Sequence, residues 1–147
     1  MASKSALDTL IELASAETDE AAKRLGNAIR ATDRAEKKLE LLQKYRDEYS
    51  SRFEAKMAQG VSPMGYRNFQ AFIAKLDEAI AGQQQVVQDA EQGVTRERGA
   101  WQQSERKRMS YDTLATRQQQ QEAKLENRRD QKQNDEFATR AGLLKRF

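Results

Sequence analysis

The sequence predicts an all-α protein: a long antiparallel two-helix coiled-coil hairpin with an overhanging polar C-terminal helix. Three observations lead to this fold class. The composition favours helices over sheets, one proline-containing break divides the chain, and an apolar heptad repeat runs along the stretch on each side of that break. Two helices with such repeats, joined by a short turn, pack as antiparallel neighbours.

The composition is that of an elongated helical protein. Of the 147 residues, 37% are hydrophobic and 33% are charged, and the mean hydropathy is −0.97. A compact domain of this size buries about 68–70% of the surface of its unfolded chain, and this sequence has too few apolar side chains for such a core. Ala, Glu, Gln, Lys, Arg and Leu dominate, as in long helices and coiled coils.

The composition also disfavours several classes of function. The sequence contains no Cys and no His, so disulfides, thiolate catalysis and an ordinary zinc site are ruled out. Its glycines are scattered singly, so no phosphate-binding loop is recognisable. We therefore expect neither enzymatic activity nor a cofactor. Because no window approaches 18 apolar residues and no signal-peptide core is present, we expect a cytoplasmic protein without a membrane span.

Capping residues indicate where the two helices begin. Ser5 and Asp8 form a capping pair at the first start, and Pro63 fits the first helical position after a Ser62 cap. Gly142 is a candidate stop for the second helix. The predicted bounds are one hairpin domain over residues 1–147, with helix one at about 5–57, a turn at 58–65, and helix two at about 66–140, unpaired beyond about 118.

An apolar seam follows steps of four and three residues in both stretches. Eleven of 14 such positions in the first stretch and ten of 14 in the second are apolar, a coiled-coil repeat of about seven heptads per helix. The bulkiest seam side chains lie nearest the turn, so we expect this end, the tip, to hold the hairpin together. The seam positions are Leu7, Ile11, Ala14, Thr18, Ala21, Leu25, Ala28, Thr32, Ala35, Leu39, Leu42, Arg46, Tyr49 and Phe53, then Phe69, Ile73, Leu76, Ile80, Gln83, Val87, Ala90, Val94, Glu97, Trp101, Ser104, Arg108, Tyr111 and Ala115.

The second helix is predicted to extend beyond its partner. With the turn centred near Val61, residues lie level with each other when their numbers sum to roughly 123. Ser5 then lies level with about Gln118. We call the residues beyond 118 the tail. Because the tail up to Glu136 is polar on almost every face, this part is either a solvated, frayed helix or a docking segment for a partner. The last residues, from Phe137 onward, are apolar again and are a candidate anchor.

Surplus apolar surface lies beside the seam near the tip. Two helices bury only one narrow face each, so part of this surface is expected to stay exposed. Exposed aromatic and Leu surface commonly marks a binding site; the alternative is that it only thickens the packing or dimerises the hairpin. The two stripes are Leu42, Tyr45 and Tyr49 on helix one, and Phe72, Leu76 and Ala79 on helix two.

Basic residues around Trp101 and Tyr111 give only a weak signal for nucleic-acid binding. Both aromatic residues occupy seam positions. Acidic residues, 23 in all, are nearly as common as the 26 basic ones. We therefore expect no nucleic-acid partner.

Three stretches of the sequence carry a resemblance to a known protein family. They are Leu39 to Leu42 with Tyr45-Arg46-Asp47-Glu48-Tyr49, then Asn68 to Ile73 after the Gly60 turn, and the tail segment Glu126 to Arg140. Together with the chain length, they resemble the FliJ family of bacterial flagellar type III export proteins over nearly the whole sequence. The tail is the most specific part of the resemblance, because no packing need explains it.

The resemblance implies a cytoplasmic component of the flagellar export apparatus, peripherally associated with the inner membrane at the flagellar base. Family members form a coiled coil similar to a rotary-ATPase stalk. They bind and stimulate the hexameric export ATPase and contact the cytoplasmic domain of the export gate; export chaperones are further candidate partners. The gate-binding residues implied here are Leu42, Tyr45, Tyr49, Phe72, Leu76 and Ala79, and the ATPase-binding residues are Asn127, Arg128, Asp130, Gln131, Lys132, Asp135, Glu136 and Phe137. Lys38 and Gln83 depart from the family pattern at the edge of the gate contact.

Two other interpretations stay open. A structural, self-associating coiled-coil spacer would bury Tyr45 and Phe72 in a homo-oligomer. An escort for export substrates or chaperones would bind them without affecting an ATPase. Solution mass and ATPase assays discriminate between these interpretations.

Overall fold

The computed structural model describes residues 5–145 and consists of two α-helices. The first, α1, spans Ala6–Met57, and the second, α2, spans Pro63–Lys145; these described residues contain no strand. The predicted all-α helical hairpin is confirmed. α2 begins at Pro63, the first helical position predicted after the Ser62 cap although before the predicted bound of about 66, and it continues past Gly142. The prediction of a stop there was wrong: one Gly costs a helix only about 1 kcal/mol, and no Pro follows it.

Both helices begin at the predicted capping residues. The backbone amide of Ser5 donates to Asp8 Oδ2 at 3.3 Å, and the amide of Asp8 donates to Ser5 Oγ at 3.1 Å, which is a reciprocal capping box. At the start of α2, the amide of Gly65 donates to Ser62 Oγ at 3.1 Å. Pro63 occupies the first helical position, where the N–H that it lacks would have no helical acceptor.

Two glycines allow the tight turn between the helices. Gly60 has φ of 100°, a left-handed conformation that favours Gly, and its amide donates to the Met57 carbonyl at 3.1 Å. Gly65 lies close to the side chains of the turn itself. A Cβ at Gly65 would come within 2.9 Å of Val61 Cγ1 and 3.2 Å of Ser62 Oγ.

The described chain divides into two compact units. The tip unit contains residues 19–103; the terminal unit contains the described residues up to Thr18 and from Ser104 onward. In the tip unit, every seam position from 21 to 53 and from 69 to 101 is buried or half-buried. The same holds in the terminal unit for the seam positions up to 18 and from 104 to 115. The predicted heptad register is confirmed at all of these positions.

Ion pairs between α1 and α2 agree with the predicted register in each unit. In the tip unit, the Arg46 guanidinium pairs with the Asp77 carboxylate, and the two residue numbers sum to 123. In the terminal unit, Lys107 Nζ lies 3.6 Å from Glu17 Oε2, and those numbers sum to 124. Both sums match the predicted value of roughly 123 for facing residues.

The tail is helical and exposed. Every residue from 116 to 140 is exposed, and Ala141 is half-buried, although α2 is continuous to Lys145. Across residues 5–145, neither helix has a stretch apolar and long enough to cross a membrane. The tail therefore contributes surface rather than core.

Candidate protein-binding surfaces

Six aromatic rings near the turn form one cluster in the tip unit. Phe53 stacks on Phe69 with ring centroids 3.8 Å apart, and Tyr49 lies 4.5 Å from Phe72. Tyr45 meets Phe72 edge-on at 6.2 Å. Aromatic pairs at such spacings add about 0.5–1.5 kcal/mol each to the free energy of area burial, so the rings hold α1 against α2. This tip cluster consists of Tyr45, Tyr49, Phe53, Tyr66, Phe69 and Phe72.

The six residues of the predicted gate contact lie at different depths in the tip unit. Tyr45 is 47% exposed and Ala79 is exposed, while Leu42, Tyr49 and Phe72 are half-buried. Leu76 is only 8% exposed. Leu76 therefore supports this surface from below, and the accessible part is formed by the other five residues.

The two flanks of the seam on α2 differ in polarity. With the seam at heptad positions a and d and Phe69 at d, the g positions lie on one flank and the e positions on the other. In the tip unit from Phe69 onward, every g position of α2 is apolar or Gly and every e position is polar. The g positions are Phe72, Ala79, Val86, Gly93 and Ala100; the e positions are Gln70, Asp77, Gln84, Glu91 and Arg98.

The apolar flank continues past the end of the predicted gate contact. Val86 is 49% exposed, and Gly93 and Ala100 are half-buried. Sequence reasoning stopped at Ala79 and missed these residues. The signal that could have found them is their seven-residue spacing, which is visible in the sequence once the seam is assigned.

The g positions of α1 face the same side as the g positions of α2. In the tip unit, the g residue Tyr45 contacts the g residue Phe72. In the terminal unit, the g residue Glu17 pairs with the g residue Lys107. Within each unit, the g positions of both helices therefore border one common groove.

Charge separates the two flanks of α1 in the tip unit. Between residues 24 and 52, the c and g positions include four basic residues and one acidic residue, while the b and e positions include four acidic residues and no basic one. The groove side is therefore positive and the opposite side negative. The basic residues are Arg24, Arg34, Lys38 and Arg52, and the acidic residues of the opposite side are Asp33, Glu36, Glu40 and Asp47.

In each of two ion pairs, the partner shifts the pKa of one residue. In the tip unit, the hydrogen bond to Asp77 raises the pKa of the Arg46 guanidinium above its ordinary value. In the terminal unit, the hydrogen bond from Arg108 lowers the pKa of the Glu105 carboxyl. Since Arg46 and Glu105 are only half-buried and Asp77 is exposed, water still screens these charges, and the pairs orient side chains more than they stabilise the fold.

The aromatic residues within the basic stretch have a packing role. Trp101 in the tip unit and Tyr111 in the terminal unit are half-buried seam residues. A stacking platform for nucleic-acid bases needs accessible ring faces. The positions of both rings are those that the seam predicts.

The tail presents its predicted ATPase-binding residues in the terminal unit. Phe137 is 75% exposed and Leu144 is 79% exposed; with Ala141 they form an apolar stripe at i, i+4 and i+7. All eight predicted residues are exposed. They are Asn127, Arg128, Asp130, Gln131, Lys132, Asp135, Glu136 and Phe137.

The terminal unit also exposes apolar side chains beside its seam. Leu10 is 43% exposed, Leu13 is 57% exposed and Leu114 is 48% exposed. Leu10 and Leu114 both occupy g positions, and their numbers sum to 124. The g flank of this unit is therefore apolar at Leu10 and Leu114 and charged at Glu17 and Lys107.

An all-helical hairpin with an apolar flank and an exposed helical extension belongs to the class of two-helix coiled-coil proteins. The sequence matches the family described as Flagellar FliJ protein over residues 3–146. The Flagellar FliJ protein of Salmonella typhi is 36% identical over 145 residues, and that of Escherichia coli (strain K12) is 35% identical over 145 residues; each alignment covers 99% of both chains. The chain therefore belongs to the flagellar FliJ family, which confirms the resemblance inferred from its sequence.

Proposed function

We propose that this chain is a cytoplasmic component of the flagellar type III protein export apparatus. It binds and stimulates the hexameric export ATPase, contacts the cytoplasmic domain of the export gate, and so couples hydrolysis to protein secretion at the flagellar base. Membership of the FliJ family supports the flagellar role. The observation that carries the two-partner proposal is that two surfaces built from different residues are exposed: the aromatic surface of the tip unit and the tail.

The proposed gate contact is centred on Tyr45. Its ring is about half exposed, yet its edge-on contact with Phe72 fixes its direction. A rigid aromatic side chain beside a small residue such as Ala79 forms a protrusion next to a shallow recess, the arrangement typical of binding hot spots. Leu76 lies beneath this surface and keeps it in place.

The proposed ATPase contact is the tail. The tail is a helix whose residues up to 140 are all exposed. Such a helix can enter a ring-shaped partner as a stalk does. The tail offers charged side chains of both signs, such as Arg128 and Asp130, for hydrogen bonds with the ring. Phe137, exposed near the end of the described helix, provides an apolar anchor.

Capture experiments with two purified partners test the proposal. Full-length protein should capture both the export ATPase and the cytoplasmic domain of the gate. A chain that ends after Arg117 should lose the ATPase and keep the gate domain, whereas Tyr45→Ala should weaken gate capture and keep the ATPase. The matched control for Tyr45→Ala is Lys44→Ala, at the f position on the outer face of α1, away from the seam.

Two results would contradict this assignment. Retention of ATPase binding and stimulation by the truncated chain would exclude the tail contact. Equal effects of Tyr45→Ala and Lys44→Ala would exclude a gate contact centred on Tyr45. Capture of export chaperones without any change in ATPase activity would instead favour the escort function.

Self-association is a second candidate function, and a separate observation favours it. The exposed Leu10, Leu13 and Leu114 of the terminal unit could pair with a second copy. Light scattering over a range of concentrations tests this candidate. A stable dimer that Leu13→Lys converts to a monomer would support the spacer; a monomer throughout would reject it.

A further inference from the structure

The turn between α1 and α2 exposes apolar side chains at the end of the tip unit. Four large apolar residues lie within ten residues of the sequence there, and each is between 36% and 70% exposed. We call them the turn cap: Met57, Val61, Met64 and Tyr66. Gly, Asn, Asp and Ser are the usual residues of an exposed turn, so a cluster of exposed apolar side chains at this end of the helix pair indicates a binding surface.

Contacts within the chain hold part of the turn cap in place before any partner binds. Val61 lies so close to Gly65 that a Cβ at Gly65 would come within 2.9 Å of Val61 Cγ1. The ring of Tyr66 lies beside the ring of Phe53, with centroids 6.2 Å apart. Because these two side chains are already ordered, binding through the turn cap loses little conformational entropy.

The net positive charge of the chain is concentrated around the turn cap. The segment from Arg52 to Lys75 contains four basic residues and one acidic residue, Glu54, whereas the rest of the chain contains 22 of each. Lys56 and Arg67, the basic residues nearest the turn, are exposed. A second copy of the chain would bring the same positive charges to the contact and would be repelled. The charge around the turn cap therefore favours an anionic occupant.

The position of the turn cap favours a lipid surface over a partner helix. The cap lies where the chain reverses direction, so its side chains project past the ends of both helices, whereas a partner helix needs a groove. Met side chains adapt to irregular apolar surroundings, and Tyr is enriched at the boundary between headgroups and acyl chains. Apolar side chains beside Lys and Arg are typical of surfaces that bind anionic membranes.

We propose that the turn cap docks on anionic lipid headgroups, with its four apolar side chains inserted shallowly and with Lys56 and Arg67 beside the lipid phosphates. The inference rests on the proposed location at the flagellar base, because that location brings the chain to the inner membrane. It adds a contact that uses neither the Tyr45 surface nor the tail. Each Lys or Arg near an anionic membrane strengthens binding about fivefold, so the turn cap provides reversible binding.

Flotation of the full-length chain with lipid vesicles tests the inference. Vesicles of phosphatidylcholine with about 30% phosphatidylglycerol should bind the chain, and vesicles of phosphatidylcholine alone should bind it much less. Met64→Ser should weaken binding to the anionic vesicles at least about fivefold. The matched control is Leu41→Ser, since Leu41 is 67% exposed in the same unit; it should change binding less than about twofold. Equal effects of the two variants would overturn the inference.

A pair of charge variants tests the contact with lipid phosphates. Arg67→Gln should weaken binding to the anionic vesicles about fivefold at low salt, and Lys44→Gln, at an f position on the outer face of α1, should change it less than about twofold. Added salt should weaken binding of the unchanged chain, because it screens these charges. Binding that is insensitive to Arg67→Gln and to salt would contradict the proposed contact.

A fluorescent label locates the contact on the chain. The sequence contains no Cys, so Met64→Cys, Leu41→Cys or Phe137→Cys each accepts one nitrobenzoxadiazole label, whose emission rises in an apolar environment. Anionic vesicles should raise the emission at position 64 and not at position 41 or 137. A rise at position 137 alone would assign the membrane contact to the tail, and no rise at any position would exclude a membrane contact; either result overturns the turn cap.

The same label separates a lipid occupant from a protein occupant. If the label at position 64 responds to the purified cytoplasmic domain of the gate but to no vesicle, the occupant is a protein and the lipid inference is wrong. None of the vesicle measurements involves the export ATPase or the gate. A failure of the inference therefore leaves the outcome of the two capture experiments unchanged, and a failure of the proposed function is detected by those captures alone.

Discussion

The side-chain amide of Gln83 donates a hydrogen bond of 2.9 Å to the backbone carbonyl of Ala35 on the opposite helix. Both residues occupy seam positions in the tip unit, and each is 7% exposed. A slip of the helix pair would bury this amide without its acceptor, which is unfavourable by about 1–3 kcal/mol. The hydrogen bond therefore favours one register of the seam, as single polar residues do in other coiled coils.

Replacing Gln83 with Leu should raise the stability of the hairpin. The Ala35 carbonyl keeps its acceptor role within α1, so the substitution removes a buried polar group without leaving an unpaired one. We expect a gain of about 1 kcal/mol in the free energy of unfolding, measured as a higher midpoint of thermal unfolding by circular dichroism.

The matched control is Gln84→Leu on the polar flank. Gln84 is exposed, so this change should alter the free energy of unfolding by less than about 0.5 kcal/mol. A lower midpoint for Gln83→Leu would show that the hydrogen bond stabilises the fold by more than apolar packing at the same position.

Within the tip cluster, Phe69 and Tyr45 should contribute very differently to stability. Phe69 stacks on Phe53 and on Tyr49, and Phe69→Ala should reduce the free energy of unfolding by about 3 kcal/mol. Tyr45 is about half exposed, so Tyr45→Ala should reduce it by less than about 1.5 kcal/mol. Urea denaturation followed by helix content measures both values.

The stability of Tyr45→Ala relative to that of Phe69→Ala also decides how binding data for Tyr45→Ala are interpreted. If Tyr45→Ala proves as destabilising as Phe69→Ala, its ring belongs to the core, and a loss of gate binding would reflect unfolding of the tip. If its effect is small, the same loss of binding reports a direct contact.

Gly60 and Gly99 should respond to Ala in opposite directions. Gly60 has φ of 100°, so Gly60→Ala should destabilise the hairpin by about 1–2 kcal/mol through the strained backbone. Gly99 is helical with open space around it, so Gly99→Ala should stabilise the hairpin by up to about 1 kcal/mol. Thermal unfolding of the two variants provides the measurement, and a shared direction of change would contradict this explanation of the turn.

Local chemistry explains how much of this fold could be read from the sequence. The cap at Ser62 depends only on residues nearby in the chain, and so do the break at Pro63 and the period of the seam. The depth of Leu76 could not be predicted, because its heptad position fits both the seam and the neighbouring stripe, and only packing across the helix pair decides between them. Val86 was not predicted as a surface residue because the predicted binding site is marked by aromatic and Leu side chains near the tip, and the flank becomes smaller and less aromatic away from the tip.

The tail should add to the helix content of the protein but not to its free energy of unfolding. Residues 116–140 are exposed, and an isolated helix without tertiary packing is marginal in water. A chain that ends after Arg117 should therefore unfold within about 0.5 kcal/mol of the full-length protein.

Hydrogen exchange gives the corresponding measurement for each amide. In the free protein, amides of the tail should exchange much faster than those at seam positions such as Ala21 and Val87, because local opening of an unpacked helix needs little free energy. Addition of the export ATPase should slow exchange in the tail and leave the seam unchanged. Slow exchange of the tail in the free protein, or a clear loss of stability on truncation, would show that the tail packs against the rest of the chain, and a docking segment ordered by its partner would then be excluded.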